Sequence, residues 1–173
     1  MVISIAKHPM QTFLPYADFK RSAEVLDKRR CWKQVIEAGQ ILDCLEGKKV
    51  GWKNHPAVKM WVGYEGLLAH YHNVFLEHCL AVHKINTVLR YRYCPYSYGV
   101  ESKTGNRLVD GERASWEQDK PFWLGQEPFH RAMRSRLVEK DPGFYGPKFL
   151  EDKGYNGGKY WWPVMEDKTF RVV

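Results

Sequence analysis

The chain has 173 residues, enough for one domain with a buried core, and 44% of them are hydrophobic, which excludes a disordered protein. Lysine and arginine exceed aspartate and glutamate by 27 − 20 = 7, and this positive charge favours an anionic partner such as nucleic acid. No apolar run reaches the roughly 20 residues of a membrane-spanning helix, and no segment resembles a signal peptide. These features predict a cytoplasmic protein with no membrane partner.

The first predicted element is a single helix over about residues 18–46. Asp18 is its predicted N-cap, because a short acidic side chain accepts hydrogen bonds from the free N–H groups of a first helical turn. Gly47 ends the helical pattern.

The same helix holds one acid, Glu37, in the basic stretch between Asp27 and Asp43. Arg30, Lys33 and Glu37 share one stripe of the helix, away from its apolar face. Two interpretations are open. The acid forms an exposed ion pair with Lys33, worth roughly 0.3–0.5 kcal/mol, or it is a functional group placed where cations hold a polyanion.

Two further helices are predicted. One begins at Pro56, after a cap at Asn54 or His55, and continues to about residue 84 as a central, buried helix. The other covers about residues 126–140, with apolar side chains at four-residue spacing on one face. Its other face carries three arginines, Arg131, Arg134 and Arg136.

Residues 95–120 are polar, contain turn signals and are predicted to form a surface excursion. The tail that follows about residue 145 is rich in glycine, proline and aromatic residues and is predicted to pack as ordered coil. The expected fold is therefore mainly α: a compact single-domain helical bundle over residues 1–173, with long loops and an ordered aromatic-rich C-terminal tail.

Metal and redox signatures are weak in this sequence. His78 and His83 are five residues apart, no HExxH spacing occurs, and no CxxC pair is present. We therefore expect no metal, no cofactor and four reduced thiols, those of Cys31, Cys44, Cys79 and Cys94.

Two segments mix cations with aromatic rings, RYRY at residues 90–93 and KYWW at residues 159–162. Such a mixture can hold a phosphate backbone and stack unpaired bases. It is equally typical of aromatic side chains that are partly core, with solvated cations beside them.

Four blocks of the sequence together resemble a known family. They are MQTFLPYADFKRSAEVLDKRR, KQVIEAGQIL, GWKNHPAVKMWVGYE and FHRAMRSRLVEKDPGFYGPKF, and they cover most of residues 10–150. Their order is similar to that of bacterial and phage pyrimidine dimer DNA glycosylases of the endonuclease V type. The resemblance implies a helical domain that binds double-stranded DNA, cuts the N-glycosidic bond of a damaged pyrimidine and then cleaves the strand through an imine.

The resemblance also implies site residues. The spacing within LDKRRCWKQVIE is similar to that of the family's first helix and puts the catalytic carboxylate on Glu37. A carboxylate stabilises the positive charge that develops on the sugar and can transfer protons. Arg30 and Lys33 are expected to contact phosphates and to help keep Glu37 ionised.

The attacking amine is expected at the start of the MQTFLPY block, because family sequences begin there and residues 1–9 form an N-terminal extension. It lies on Met10, or on Gln11 once the methionine is removed. An α-amine, with a pKa of about 7.7–8.0, is a better nucleophile at neutral pH than a lysine near 10.4. A lysine nucleophile such as Lys33, or a glycosylase in which Glu37 activates water, remains an alternative.

The expected partner is double-stranded DNA, bound by a monomer at the nucleoid. The expected DNA contacts are Arg29, Arg30, Lys33, Lys53, Asn54, His55, Arg131, Arg134 and Arg136. Two other functions stay open: an enzyme on the same scaffold that acts on a modified pyrimidine of phage DNA, and a non-catalytic nucleic-acid-binding module.

Overall fold

The structure, a computed structural model, describes residues 10–94 and 120–173. The predicted extension at 1–9 and nearly all of the excursion at 95–120 lie outside these ranges. The described residues form α1 (Phe19–Val25), α2 (Lys28–Leu45), α3 (Pro56–Lys59), α4 (Glu65–Ala81), α5 (Glu127–Lys140), α6 (Pro142–Tyr145), two 3-10 helices (Leu150–Asp152 and Tyr155–Gly158) and strands β1 (Trp161–Val164) and β2 (Thr169–Val172). The mainly α fold is confirmed.

The first predicted helix is broken into two, which corrects the prediction of one helix over 18–46. Asp18 caps α1, accepting a hydrogen bond from the N–H of Arg21 at 2.6 Å, as predicted. Leu26 is extended, and Asp27 then caps α2 by accepting from the N–H of Arg30 at 3.0 Å. The hydroxyl of Tyr145 also donates to the Asp27 carboxylate, at 2.5 Å, so a distant part of the chain supports the break.

The second predicted helix is also broken, into α3 and α4. Nδ1 of His55 accepts from the N–H of Ala57 at 3.1 Å, which confirms the cap before Pro56. Gly63, at φ 80°, lies between the two helices in a conformation that favours glycine. The carboxylate of Glu65 accepts the N–H of Gly63 at 3.0 Å and so starts α4.

Helix α4 is the central helix, as predicted, and packs against α1 and α2. Its Tyr71 and Phe75 are buried with ring centroids 4.3 Å apart. Trp61 and Trp123 meet edge to face at 4.9 Å in the same core, and the indole N–H of Trp61 donates to the hydroxyl of Thr12 at 3.1 Å. Residues 10–14 are thus buried in the core rather than lying on its surface.

The tail packs on α5, but its last part is not coil. Strands β1 and β2 pair antiparallel, with Trp161 opposite Val172 and Val164 opposite Thr169. The correction follows from β-favouring side chains on both sides of a short turn, in which Lys168 has φ 56°. Among the described residues, no helix is long and apolar enough to cross a membrane.

A buried ion-pair network joins α5 to the tail and to the N-terminal segment. Arg134 is 7% exposed, and its Nε lies 2.6 Å from Asp152 Oδ2 while its Nη1 donates to the carbonyl of Pro15 at 2.8 Å. Arg131 Nε lies 2.8 Å from the other oxygen of Asp152. Burial raises the pKa of Asp152, but the hydrogen bonds from Arg134 and Arg131 outweigh burial and lower it overall.

Replacing Asp152 with alanine is expected to lower the free energy of unfolding at pH 7 by about 3 kcal/mol, because Arg134 stays buried without its main partner. Urea denaturation followed by circular dichroism measures this loss. Folding lowers the pKa of Asp152 from its ordinary value of 3.8. The stabilisation that Asp152 provides is therefore fully present above pH 3.8 and is lost as the pH falls through the lower pKa of the folded protein. The exposed neighbour Glu151, changed to alanine, should shift stability by less than about 0.5 kcal/mol. Equal losses in the two variants would contradict the network's role.

Candidate active site

Glu37 lies on the third turn of α2, and its residue surface is only 7% exposed. Lys33 Nζ is 3.4 Å from Glu37 Oε1, so the ion pair considered from the sequence is present. The lysine is half exposed, but the acid is buried. A simple exposed ion pair therefore does not describe this site.

The Gln34 side chain links Glu37 to the N-terminal segment. Its Oε1 accepts the N–H of Phe13 at 2.7 Å and lies 2.9 Å from the hydroxyl of Tyr71. These contacts fix the orientation of the amide, so its Nε2 faces Glu37 Oε2 at 3.5 Å. A buried amide with its oxygen held by two donors cannot flip cheaply, and the Glu37 side chain is positioned as a result.

The backbone of Gln11 also contacts the acid, because its N–H is hydrogen-bonded to the Glu37 carboxylate. Met10 and Gln11 are both buried, and Gln11 Nε2 lies 2.9 Å from the sulfur of Met133. Of the two positions expected to carry the amine, the nitrogen of Gln11 thus contacts Glu37 directly. The tertiary fold brings this N-terminal segment against α2.

Burial raises the pKa of Glu37, and Lys33, the Gln11 backbone and Gln34 reverse only part of this shift. The expectation from the sequence was that neighbouring cations help keep the acid ionised. Lys33 acts in that direction, but loss of solvation outweighs it. A carboxyl group with a raised pKa is suited to exchanging protons near neutral pH.

The site has a second cation that the sequence did not reveal. Lys140, the last residue of α5, lies within electrostatic reach of Glu37, Lys33, Arg30 and Arg136. Burial lowers the pKa of Lys140, and these three cations lower it further. No sequence signal could identify this residue, since it is far from Glu37 along the chain and sits at an ordinary helix end.

Tyr160 closes the same side of the site. The Arg136 guanidinium lies 4.5 Å from the centre of its ring, and Arg136 is also paired with Glu139. Burial raises the pKa of Tyr160, Arg136 lowers it, and the negative charge of Glu37 raises it. Tyr160, from the KYWW segment, is thus an aromatic neighbour of the acid.

The other predicted basic residues on α2 and α5 have different surroundings. Arg29 is exposed, whereas Arg30 is paired with Asp27 at 2.7 Å and donates to the carbonyl of Lys140 at 3.3 Å. Arg131 is held by Asp152, and Arg134 is buried in the network described above. Because a phosphate cannot reach a buried guanidinium, Arg134 is not retained as a DNA contact.

Lys53 and Asn54 are exposed and line a groove of about 600 Å³ between α3 and the C-terminal hairpin. Lys59 and Arg171 add two more cations to this groove. His55 differs from its neighbours, because its ring caps α3 and burial lowers its pKa. A neutral capping histidine is not a cationic phosphate contact.

In the RYRY segment, residues 90–93, one arginine is held within the fold and two other side chains are exposed. Arg92 Nη2 lies 3.0 Å from Asp43, and the backbone of Arg92 exchanges two hydrogen bonds with the Asn73 side chain, which fastens the segment to α2 and α4. Arg90 and Tyr93 are exposed instead.

Residues 10–84 match the sequence profile of a family described as pyrimidine dimer DNA glycosylase. The match supports the resemblance seen in the sequence, over the segment that contains both Gln11 and Glu37. No curated protein and no solved structure matches the chain.

Replacing Glu37 with glutamine is expected to stabilise the fold at pH 7, because the amide keeps the shape of the side chain and removes a charge that burial disfavours. Folding raises the pKa of Glu37, so the carboxyl opposes folding only at pH values above its ordinary pKa of 4.5, where the unfolded protein ionises it. The two proteins should therefore become equally stable below about pH 4. Urea titrations across this pH range measure the difference.

The control is Glu46→Gln, an exposed acid just after the same helix, which should change stability little at any pH. A Glu37→Gln protein less stable than the wild type at pH 7 would mean that Lys33, Gln11 and Gln34 hold the carboxylate more strongly than burial disfavours it.

Proposed function

We propose that this chain, whose residues 10–84 match the profile of the pyrimidine dimer DNA glycosylases, cleaves the N-glycosidic bond of a damaged pyrimidine in double-stranded DNA with Glu37 as its catalytic carboxylate. The observation that supports this role is a buried acid on α2 that faces the backbone nitrogen of Gln11. Cations from two helices, Lys33 and Lys140, lie around it.

The carboxylate has two tasks in this proposal. As the bond between C1′ and the base breaks, its electron pair leaves with the base and positive charge develops on the sugar, which a nearby carboxylate stabilises. The raised pKa of Glu37 also lets the group take up a proton from the attacking nucleophile and return it later. Gln34 keeps the carboxylate in place during both steps.

The proposed DNA contacts follow from exposure and position. Lys33 and Lys140 flank the acid, and Arg29 lies exposed on the first turn of α2. Lys53 and Asn54 extend the contact surface into the groove beside the hairpin. Phosphates positioned by these cations would present the sugar to Glu37, while a damaged base, already poorly stacked, costs less to flip.

The strand-cleaving step needs an amine that forms an imine with C1′. A chain that begins at Gln11 would carry its α-amine at the nitrogen that now contacts Glu37. When residues precede Gln11, the same nitrogen is an amide, whose lone pair is delocalised and does not attack carbon. Lys33, 3.4 Å from the acid, and Lys140, with its lowered pKa, are the lysine alternatives.

Glu37→Gln is expected to slow base release from duplex DNA carrying a single cyclobutane dimer by at least about 100-fold, the typical contribution of a catalytic acid or base. Binding of the same duplex should change by less than about tenfold, or 1.4 kcal/mol. Glu46→Gln, at the end of the same helix, should keep both properties.

Loss of binding in Glu37→Gln would assign the residue a structural role. Unchanged base release would remove Glu37 from the mechanism. Base release from undamaged DNA with modified pyrimidines, but not from the dimer, would favour the same-scaffold alternative. Salt-dependent binding without any base release would favour the binding module.

Borohydride reduction of a reaction with the same duplex is expected to trap a covalent complex with protein that starts at Met10. Its α-amine is then on Met10, one residue from the Gln11 nitrogen that contacts Glu37, or on that nitrogen itself once Met10 is removed. Mass spectrometry identifies the modified residue. Protein that starts at Met1 serves as the comparison, and trapping there should disappear in Lys33→Ala or in Lys140→Ala. Base loss without trapping in either form would contradict the imine step and leave a glycosylase in which Glu37 activates water.

A further inference from the structure

Four sulfur and nitrogen side chains meet where α2 begins and α4 ends, on a different face of α2 from Glu37. Cys31 and Cys79 are both fully buried, and their sulfur atoms are 3.3 Å apart. Cys31 precedes Glu37 by six residues, which places it about 9 Å away along the helix axis and about 240° around it. This cluster therefore takes no part in the chemistry proposed for Glu37.

Two histidines complete the cluster. The rings of His78 and His83 are 5.0 Å apart between centroids and cross at 82°. One ligand atom from each histidine and the sulfur of Cys31 all lie within 4.8 Å of one another. Nε2 of His83 is buried and makes no hydrogen bond within the part of the chain that the structure describes.

The end of α4 is shaped to bring these groups together. His78 and Cys79 lie on the last turn, and the backbone then reverses at Lys84, which has φ 51°. The reversal is held by hydrogen bonds from the N–H of His83 to the carbonyl of His78 and from the N–H of Ile85 to the carbonyl of Cys79, at 3.5 and 3.1 Å. A left-handed residue other than glycine costs about 1 kcal/mol or more, so the turn is imposed by its surroundings.

The set of donors selects the kind of ion. Two thiols and two imidazoles, without a carboxylate among them, are the ligands of tetrahedral zinc sites and do not suit magnesium or calcium. In such a site the bond lengths of about 2.0–2.3 Å put neighbouring donors about 3.3–3.8 Å apart. Three donors, from Cys31, His78 and His83, lie within 4.8 Å of one another, and the Cys79 sulfur lies 3.3 Å from that of Cys31. Side-chain rotations that bring the two imidazoles and the Cys79 sulfur closer together would give that geometry.

We propose that Cys31, Cys79, His78 and His83 bind one zinc-class ion that ties the start of α2 to the end of α4. A site with four protein ligands leaves no position for substrate, so its role is structural. The spacing of histidines and cysteines within any single segment of the sequence does not indicate this site. Here one ligand comes from α2 and the other three come from α4 and the turn after it.

The test uses the full chain without an added polyhistidine tag, stripped with a chelator and kept under a non-thiol reductant. Added zinc is expected to bind at one ion per chain and to raise the melting temperature. Cobalt in its place should give the visible absorption bands of a tetrahedral ion together with sulfur-to-metal charge transfer. His83→Gln, which changes a half-buried residue, should weaken binding at least tenfold while the metal-free protein keeps its helical circular dichroism.

Cys31→Ala, which removes one of the two proposed thiolates, should weaken metal binding at least tenfold and reduce the charge-transfer band. Cys44→Ala, which removes a buried thiol of α2 outside the cluster, should leave both unchanged. Binding that survives both His83→Gln and Cys31→Ala would overturn the proposal. A wild-type protein that binds no zinc in the presence of the reductant would also overturn it.

Discussion

The fold and the candidate site both depend on the hydrogen bonds that Gln34 makes to the N-terminal segment. Its side chain accepts the N–H of Phe13 and presents its amide to Glu37, while the hydroxyl of Tyr71 lies beside both the Gln34 oxygen and the carbonyl of Phe13. Without these partners a backbone outside helices and strands could not remain buried at Gln11 to Phe13, since its polar groups would have lost water without replacement. The same bonds bring the nitrogen of Gln11 to the acid. Core structure and site geometry thus share one network.

Burial of Glu37 lowers the stability of the fold and also raises the proton affinity of its carboxylate. The carboxylate is taken out of water with one ion pair, to the half-exposed Lys33, and with hydrogen bonds from neutral donors. That environment raises its pKa and works against folding, but it also gives the group a proton affinity that an exposed glutamate lacks. The buried Arg134 and Asp152 differ, because their charges compensate each other and hold the tail on α5.

Local patterns predicted the parts of the fold that depend on local physics. Helix α5 and the central helix α4 follow from apolar spacing, and the caps at Asp18 and His55 follow from side chains next to their helices. The break before α2 was missed because Asp27 is supported by Tyr145 from a distant segment. Among the arginines of α5, spacing could not tell the buried Arg134 from the half-buried Arg131 and Arg136, since burial there depends on the tail.

In the candidate site too, the sequence could indicate only residues that lie close together along the chain. Glu37 was found because its basic surroundings and the family's spacing lie in one helix, whereas Lys140 and Tyr160 reach it only through the packing of α5 and the tail. The thiol–imidazole cluster likewise draws on two helices. Helix α2 thus carries an acid on one face and a thiol on another, each completed by a different part of the chain. An ion bound at the second face would hold α2 against α4, and so keep Gln34 in register with Tyr71, at a distance from Glu37.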